Sequence, residues 1–159
     1  MTDDPVARVQ AALDALELGI QVRRFEVPTA TAKQAAAAIG CELGAIVKSL
    51  CFLIDGRPVL VLAAGDRRVD SKALRRIFQV SKKKVKIADP ATVLAATGFV
   101  VGGVPPLGHP EPLPTLIDKS LARFETVYAA AGSGDTIFPI AYQTLVEVTQ
   151  GEVHELTTA

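Results

Sequence analysis

The chain has 159 residues, enough for one core and little more. With 49% hydrophobic and 21% charged residues it is globular, not disordered. No apolar run approaches the roughly 20 residues that span a bilayer, and Cys41 and Cys51 alone do not make a disulfide framework. The formal charge is zero, yet ten basic residues and only two acids lie between Arg57 and Lys86, so that window carries +8. A basic zone on a neutral chain suggests a polyanion-facing surface, with a solvated face as the plain alternative.

A helix is predicted over Pro5–Leu18, with apolar residues at helical spacing and Gly19 as the stop. Gln21–Val27 reads as extended. Thr29–Ile39 reads as a second helix, with Thr31 and Gln34 forming a capping box and Gly40 ending it. Ala45–Asp55, AIVKSLCFLID, reads as a buried strand with one charge inside it, Lys48. Alternation puts Ile46, Lys48, Leu50, Phe52 and Ile54 on one face and Val47, Ser49, Cys51 and Leu53 on the other.

Asp55-Gly56 signals a hairpin turn back into PVLVLAA. A short basic helix follows over Asp70–Phe78, then a basic connector with a short strand at KVKIA. Asp89-Pro90 opens another helix, which Gly98 ends. Phe99–Pro114, with three glycines and five prolines, is a shaped loop entered from a short strand. Leu113–Asp118 and Thr126–Ala131 read as strands and Gly132–Asp135 as a tight turn. Thr136–Phe138 is extended, Pro139–Val148 is predicted as a helix with proline at its start, and Glu152–Leu156 closes as a strand. A hairpin at the centre and non-alternating elements favour an α+β fold, a mixed, largely antiparallel sheet with helices around it, as one domain over 1–159.

Common catalytic signatures are missing. His109, His154, Cys41 and Cys51 fit no zinc spacing, so no metal is expected, and there is no nucleophile elbow, P-loop or dinucleotide fingerprint. Lys48 remains. A lysine on an apolar face snorkels to solvent, forms a Schiff base, acts as a desolvated base or serves as a fixed cation. The glycine loops can present backbone N–H groups to an oxyanion, or are ordinary connections.

The stretches IVKSLCFLIDGRPVLVLAAGDRRVDSKALRRI, TGFVVGGVPPLGHPEPLPTLIDKSL and VYAAAGSGDTIFPIAYQTLVEV together resemble the YbaK/EbsC family. That family is related to the editing (insertion) domain of bacterial prolyl-tRNA synthetase, and the similarity runs from about Val6 to Val148. The resemblance implies a free-standing hydrolase of mischarged tRNA; no cofactor is expected, and the two cysteines make a reduced, cytoplasmic setting the expectation. The expected substrate is tRNA-Pro carrying a small amino acid such as Cys, Ala or Ser. It implies a catalytic role for Lys48 with Gly102 and Gly103. Ser49, Thr31 and the turn Gly132, Ser133, Gly134 and Asp135 are expected to line the substrate pocket. Arg67, Arg68, Lys72, Lys82, Lys83 and Lys84 are expected to hold the tRNA acceptor end, with prolyl-tRNA synthetase as a candidate partner and no membrane. Two departures stand out: GSGD where the family often has G-K-R-G, and Pro105 where many members have serine. The rival readings are a non-catalytic nucleic-acid-binding or synthetase-associated module and a lysine-dependent small-molecule enzyme.

Overall fold

The structure is a computed structural model that describes residues 4–159. In chain order its elements are α1 (Pro5–Ala15), β1 (Arg23–Arg24), α2 (Ala32–Ile39), β2 (Ile46–Ile54), β3 (Arg57–Ala64), β4 (Arg68–Val69), α3 (Ser71–Phe78), β5 (Val85–Ile87), α4 (Pro90–Thr97), β6 (Thr115–Asp118), β7 (Thr126–Ala130), β8 (Thr136–Ala141), α5 (Tyr142–Thr149), β9 (Glu152–His154) and β10 (Thr157–Thr158). Local chemistry sets most boundaries. Asp4, Thr31, Asp70 and Asp89 cap α1, α2, α3 and α4 through their side chains, and the Thr31–Gln34 box closes in both directions. Asp55 and Gly56 both take positive φ, the conformation a tight right-twisted hairpin requires.

The main sheet runs β1-β8-β7-β2-β3-β6-β9, with β5 also on β2. The β2–β3, β2–β5, β7–β8 and β1–β8 pairs are antiparallel, while β2–β7, β3–β6 and β6–β9 are parallel. This is the expected mixed, largely antiparallel α+β architecture. The β4–β10 pair forms a separate ribbon.

Three stretches differ from expectation. Only Arg23–Arg24 of the Gln21–Val27 stretch is strand. Pro139 lies inside β8 opposite Tyr128, and α5 begins three residues later at Tyr142. Pro139 shares strand parity with Asp135, whose carbonyl faces Phe25. The missing proline N–H therefore falls on the outer edge of β8, past the end of β1, where no ladder bond is lost. The Phe99–Pro114 loop also begins directly from α4, with no entry strand.

One sheet face is covered by Val9 and Leu13 of α1, Val93 of α4, Leu145 of α5, and Phe99 of the long loop. The other carries two separate clusters. Ala35 and Ala36 of α2 pack on Ile46 and Ile137, and Ala73 and Leu74 of α3 pack with Phe52, Ile54, Val59 and Val61. Lys48 stands on that face in the interval between the two. Its strand is also interrupted at one edge: β2 pairs with β7 only at Ile46 and Val47 and with β5 only from Phe52 to Ile54. The Cys51 carbonyl still accepts the Ala88 N–H at 3.0 Å. Residues 48–50 are left without a strand partner on that edge.

Candidate active site

A cleft of about 340 Å³ opens at this gap. Its floor is Ile46–Leu50, one wall is Thr29–Ala32 with Ala35, and the other is Val101, Gly102 and Val104. The alanines keep the α2 wall low, which lets the lead-in Thr29–Thr31 approach the sheet. That lead-in is tied down by Thr29, whose N–H donates to the Gly134 carbonyl at 2.7 Å.

Lys48 lines the cleft, and its ammonium donates to the backbone carbonyl of Arg67. One of its three N–H donors is thereby used, and no other described residue claims the remaining two. Burial pushes the Lys48 ammonium below its ordinary 10.5, opposed by the Asp66 carboxylate and assisted by Arg68. Asp66 is itself engaged, since Arg123 reaches both its oxygens, and that hydrogen-bonded pair holds the Asp66 carboxyl below its ordinary value. The carboxylate that acts most on Lys48 is thus kept off the ammonium.

Gly102 borders the cleft with φ +90°, and a Cβ there would lie 3.0 Å from that of Ala30 across the opening. Gly103 plays a different part. Its N–H donates to the Val100 carbonyl at 3.0 Å and its carbonyl accepts from Gly132 at 2.9 Å, so its amide is committed and is not the expected oxyanion donor. A Cβ on Gly103 would sit 2.7 Å from the Ser133 nitrogen. The Gly132–Asp135 turn lies behind the cleft and does not border it, contrary to its expected place in the pocket lining. The Ser133 hydroxyl donates to Asp135 at 2.6 Å, Asp135 pairs with Arg24 at 3.1 Å, and Gly134 anchors Thr29. The first of these bonds, with the arginine, holds Asp135 below its ordinary value. GSGD thus braces both walls.

Ser49 borders the cleft and its Oγ is buried without a hydrogen-bond partner among the described residues. Thr31 is at the rim, with its hydroxyl taken by the Gln34 N–H. Thr29, Ala30, Val101, Val104 and the Asp66–Arg123 pair escaped the sequence reading. The only advance sign was the small-residue run TATA before α2.

The basic zone divides. Arg67 and Arg68 follow β3 beside Lys48, whereas Lys82–Lys84 form a turn near the hairpin, where Lys84 meets Asp55 at 3.2 Å. From Lys48 to Ile54 is six residues of strand, about 20 Å at ~3.4 Å each. Lys83, Lys84 and Lys86 line a broader groove of about 550 Å³ there. Asp55 and Gly56 of the hairpin turn also line that groove, whereas the smaller cleft holds the half-buried Lys48 beside the Gly102 loop. Lys72 is exposed on α3.

A half-buried lysine in a small-walled gap of a mixed α+β sheet, with a basic flank, presents a cation to an anionic or carbonyl group. The chain belongs to the aminoacyl-tRNA editing domain family, whose profile matches residues 26–148, and within it to the YbaK/EbsC group. It is 38% identical over 133 residues to YwhH of Bacillus subtilis, covering 83% of each chain. It is 26% identical over 129 residues to a candidate Cys-tRNA(Pro)/Cys-tRNA(Cys) deacylase, EbsC of Enterococcus faecalis, covering 80% of this chain and 77% of that one. The crystal structure of a candidate trans-editing enzyme for prolyl tRNA synthetase superposes with a TM-score of 0.91 at 35% identity, covering 100% of both chains. Among the described residues no helix is long and apolar enough to cross a membrane.

Proposed function

We propose that the protein is a trans-editing deacylase that hydrolyses the ester of a mischarged tRNA. The observation that carries this reading is that Lys48, its ammonium held by the Arg67 carbonyl, lines a cleft together with Gly102. An aminoacyl ester is activated, so positioning and charge stabilisation suffice. Water adds to the ester carbonyl, the tetrahedral intermediate collapses with cleavage of the acyl–oxygen bond, and the ribose oxygen leaves with a proton. Free amino acid and tRNA result. In this reading Lys48 holds the carbonyl or ribose end as a fixed cation, and the Gly102 amide is assigned to the oxyanion. No carboxylate or imidazole borders the cleft among the described residues, so the mechanism asks for no strong protein base there. Alanines along one wall and limited volume suit a small acyl side chain, with Cys, Ala or Ser on tRNA-Pro as the proposed substrates; the name of EbsC supports Cys, and that of the superposed structure a link to prolyl tRNA synthetase.

The test is release of amino acid from a panel of Cys-, Ala-, Ser- and Pro-charged tRNA-Pro. Turnover of a small mischarged residue that falls on the order of 100-fold in Lys48→Ala supports the reading. Tight tRNA binding without release of any of the four would instead favour the non-catalytic binding module, which the +8 zone alone would satisfy.

A further inference from the structure

The segment after Gly151 lies beyond the span that matches the editing-domain family, yet it connects to the cleft lysine. Asp118, at the end of β6 and only 2% exposed, is the anchor. Its Oδ1 accepts the Leu156 N–H at 2.7 Å and its Oδ2 accepts the Thr157 hydroxyl at 2.9 Å. The Thr157 oxygen in turn accepts the Arg67 Nε–H at 3.1 Å. Arg67 presents its carbonyl to the Lys48 ammonium. The backbone agrees with the side chains: Thr157 is paired with Val69, and Leu156 accepts the Asp70 N–H at 2.7 Å, so β10 holds the chain just after Arg67. A hydroxyl has one donor, and Thr157 spends it on a buried carboxylate while accepting from the guanidinium. Both directions of the relay are thereby fixed.

We propose that Thr157 is a positioning residue for Lys48, acting through Arg67, whose carbonyl holds the ammonium at the cleft. Strand β10 is thus part of the active-site scaffold although it does not line the cleft. Thr157→Val keeps the shape and removes both hydrogen bonds. Thr157→Ser keeps both.

The primary readout is the rate of reductive methylation at Lys48, followed by mass spectrometry with Lys33 and Lys72 as internal references. Thr157→Val is expected to raise the Lys48 rate several-fold relative to those references, and Thr157→Ser to match wild type. A Lys48 rate unchanged in folded Thr157→Val overturns the proposal. Should that variant not fold, Arg67→Met removes the same hydrogen bond from its other end and must give the same rise. The consequence for turnover rests on the deacylase reading. There Thr157→Val is expected to lower kcat on the order of tenfold with KM nearly unchanged, as for a displaced catalytic group. If wild type releases no amino acid, the deacylase reading falls while the methylation result still decides the role of Thr157.

Discussion

Arg123 holds Asp66 with two nearly parallel hydrogen bonds, 2.7 Å and 3.0 Å, and Gly44 packs so close that a Cβ there would come within 2.9 Å of the guanidinium. The pair is partly exposed, so its loss should cost at most about 1 kcal/mol in a urea titration. Its larger effect is electrostatic. In Arg123→Gln the Asp66 carboxylate is released to pair with Lys48, and deacylation should fall well beyond the stability change. Unaltered turnover in that variant would show that Asp66 needs no restraint.

The two adjacent loop glycines should separate cleanly. Gly103→Ala drives a methyl into the Ser133 backbone, which cannot move aside without pulling the brace from both walls. A loss of about 1–3 kcal/mol by chemical denaturation is expected. Gly102→Ala meets only the Ala30 methyl, at 3.0 Å, but across the cleft and at φ +90°. Its cost in stability should be about 1 kcal/mol, with the main damage appearing in KM for the aminoacyl-tRNA.

Desolvation of the Lys48 ammonium works against the fold at neutral pH. Burial lowers its pKa below 10.5, so the unfolded chain binds the proton more tightly. Stability therefore rises with pH from the folded-state value towards 10.5. Lys48→Met should unfold at or above the wild-type temperature at pH 7 while losing activity, and its advantage should shrink as the pH is raised towards 10.5. A marked drop in midpoint at pH 7 would mean that the bond to the Arg67 carbonyl outweighs the desolvation.

Neutralising Lys82, Lys83 and Lys84 together should raise KM for tRNA and leave kcat alone, because these residues sit about 20 Å along the strand from Lys48. The slope of log affinity against log salt should fall by about one for each phosphate that is no longer neutralised. A fall in kcat at saturating tRNA would place them nearer the chemistry than the strand length allows.

Much of this architecture was readable from local chemistry. The Asp55-Gly56 turn, the Thr31–Gln34 box and the Asp89-Pro90 helix start each rest on neighbours in sequence, and each stands where expected. Lys48 was readable as the one charge in an apolar strand, and the structure puts it in the cleft. What escaped depends on distant partners. Pro139 reads as a helix start until the length of β1 shows that an outer edge of β8 is free there. Gly103 looks like an amide donor until Val100 takes its N–H, and GSGD looks like pocket lining until its bonds to Thr29 and Gly103 place it behind the walls. The two-residue strands β4 and β10 carry no periodicity at all; only their pairing across nearly ninety residues defines them.

The interruption beside residues 48–50 has one more implication. Unpaired strand edges invite other chains to add on, and proteins usually guard them with charge, proline or a bulge. Here the bare edge is recessed between β7 and β5, which occupy the positions a foreign strand would need at either end. So short a gap cannot template a ladder, and a lysine sits within it. The protein can therefore keep open backbone at the centre of its sheet without offering a seed for aggregation.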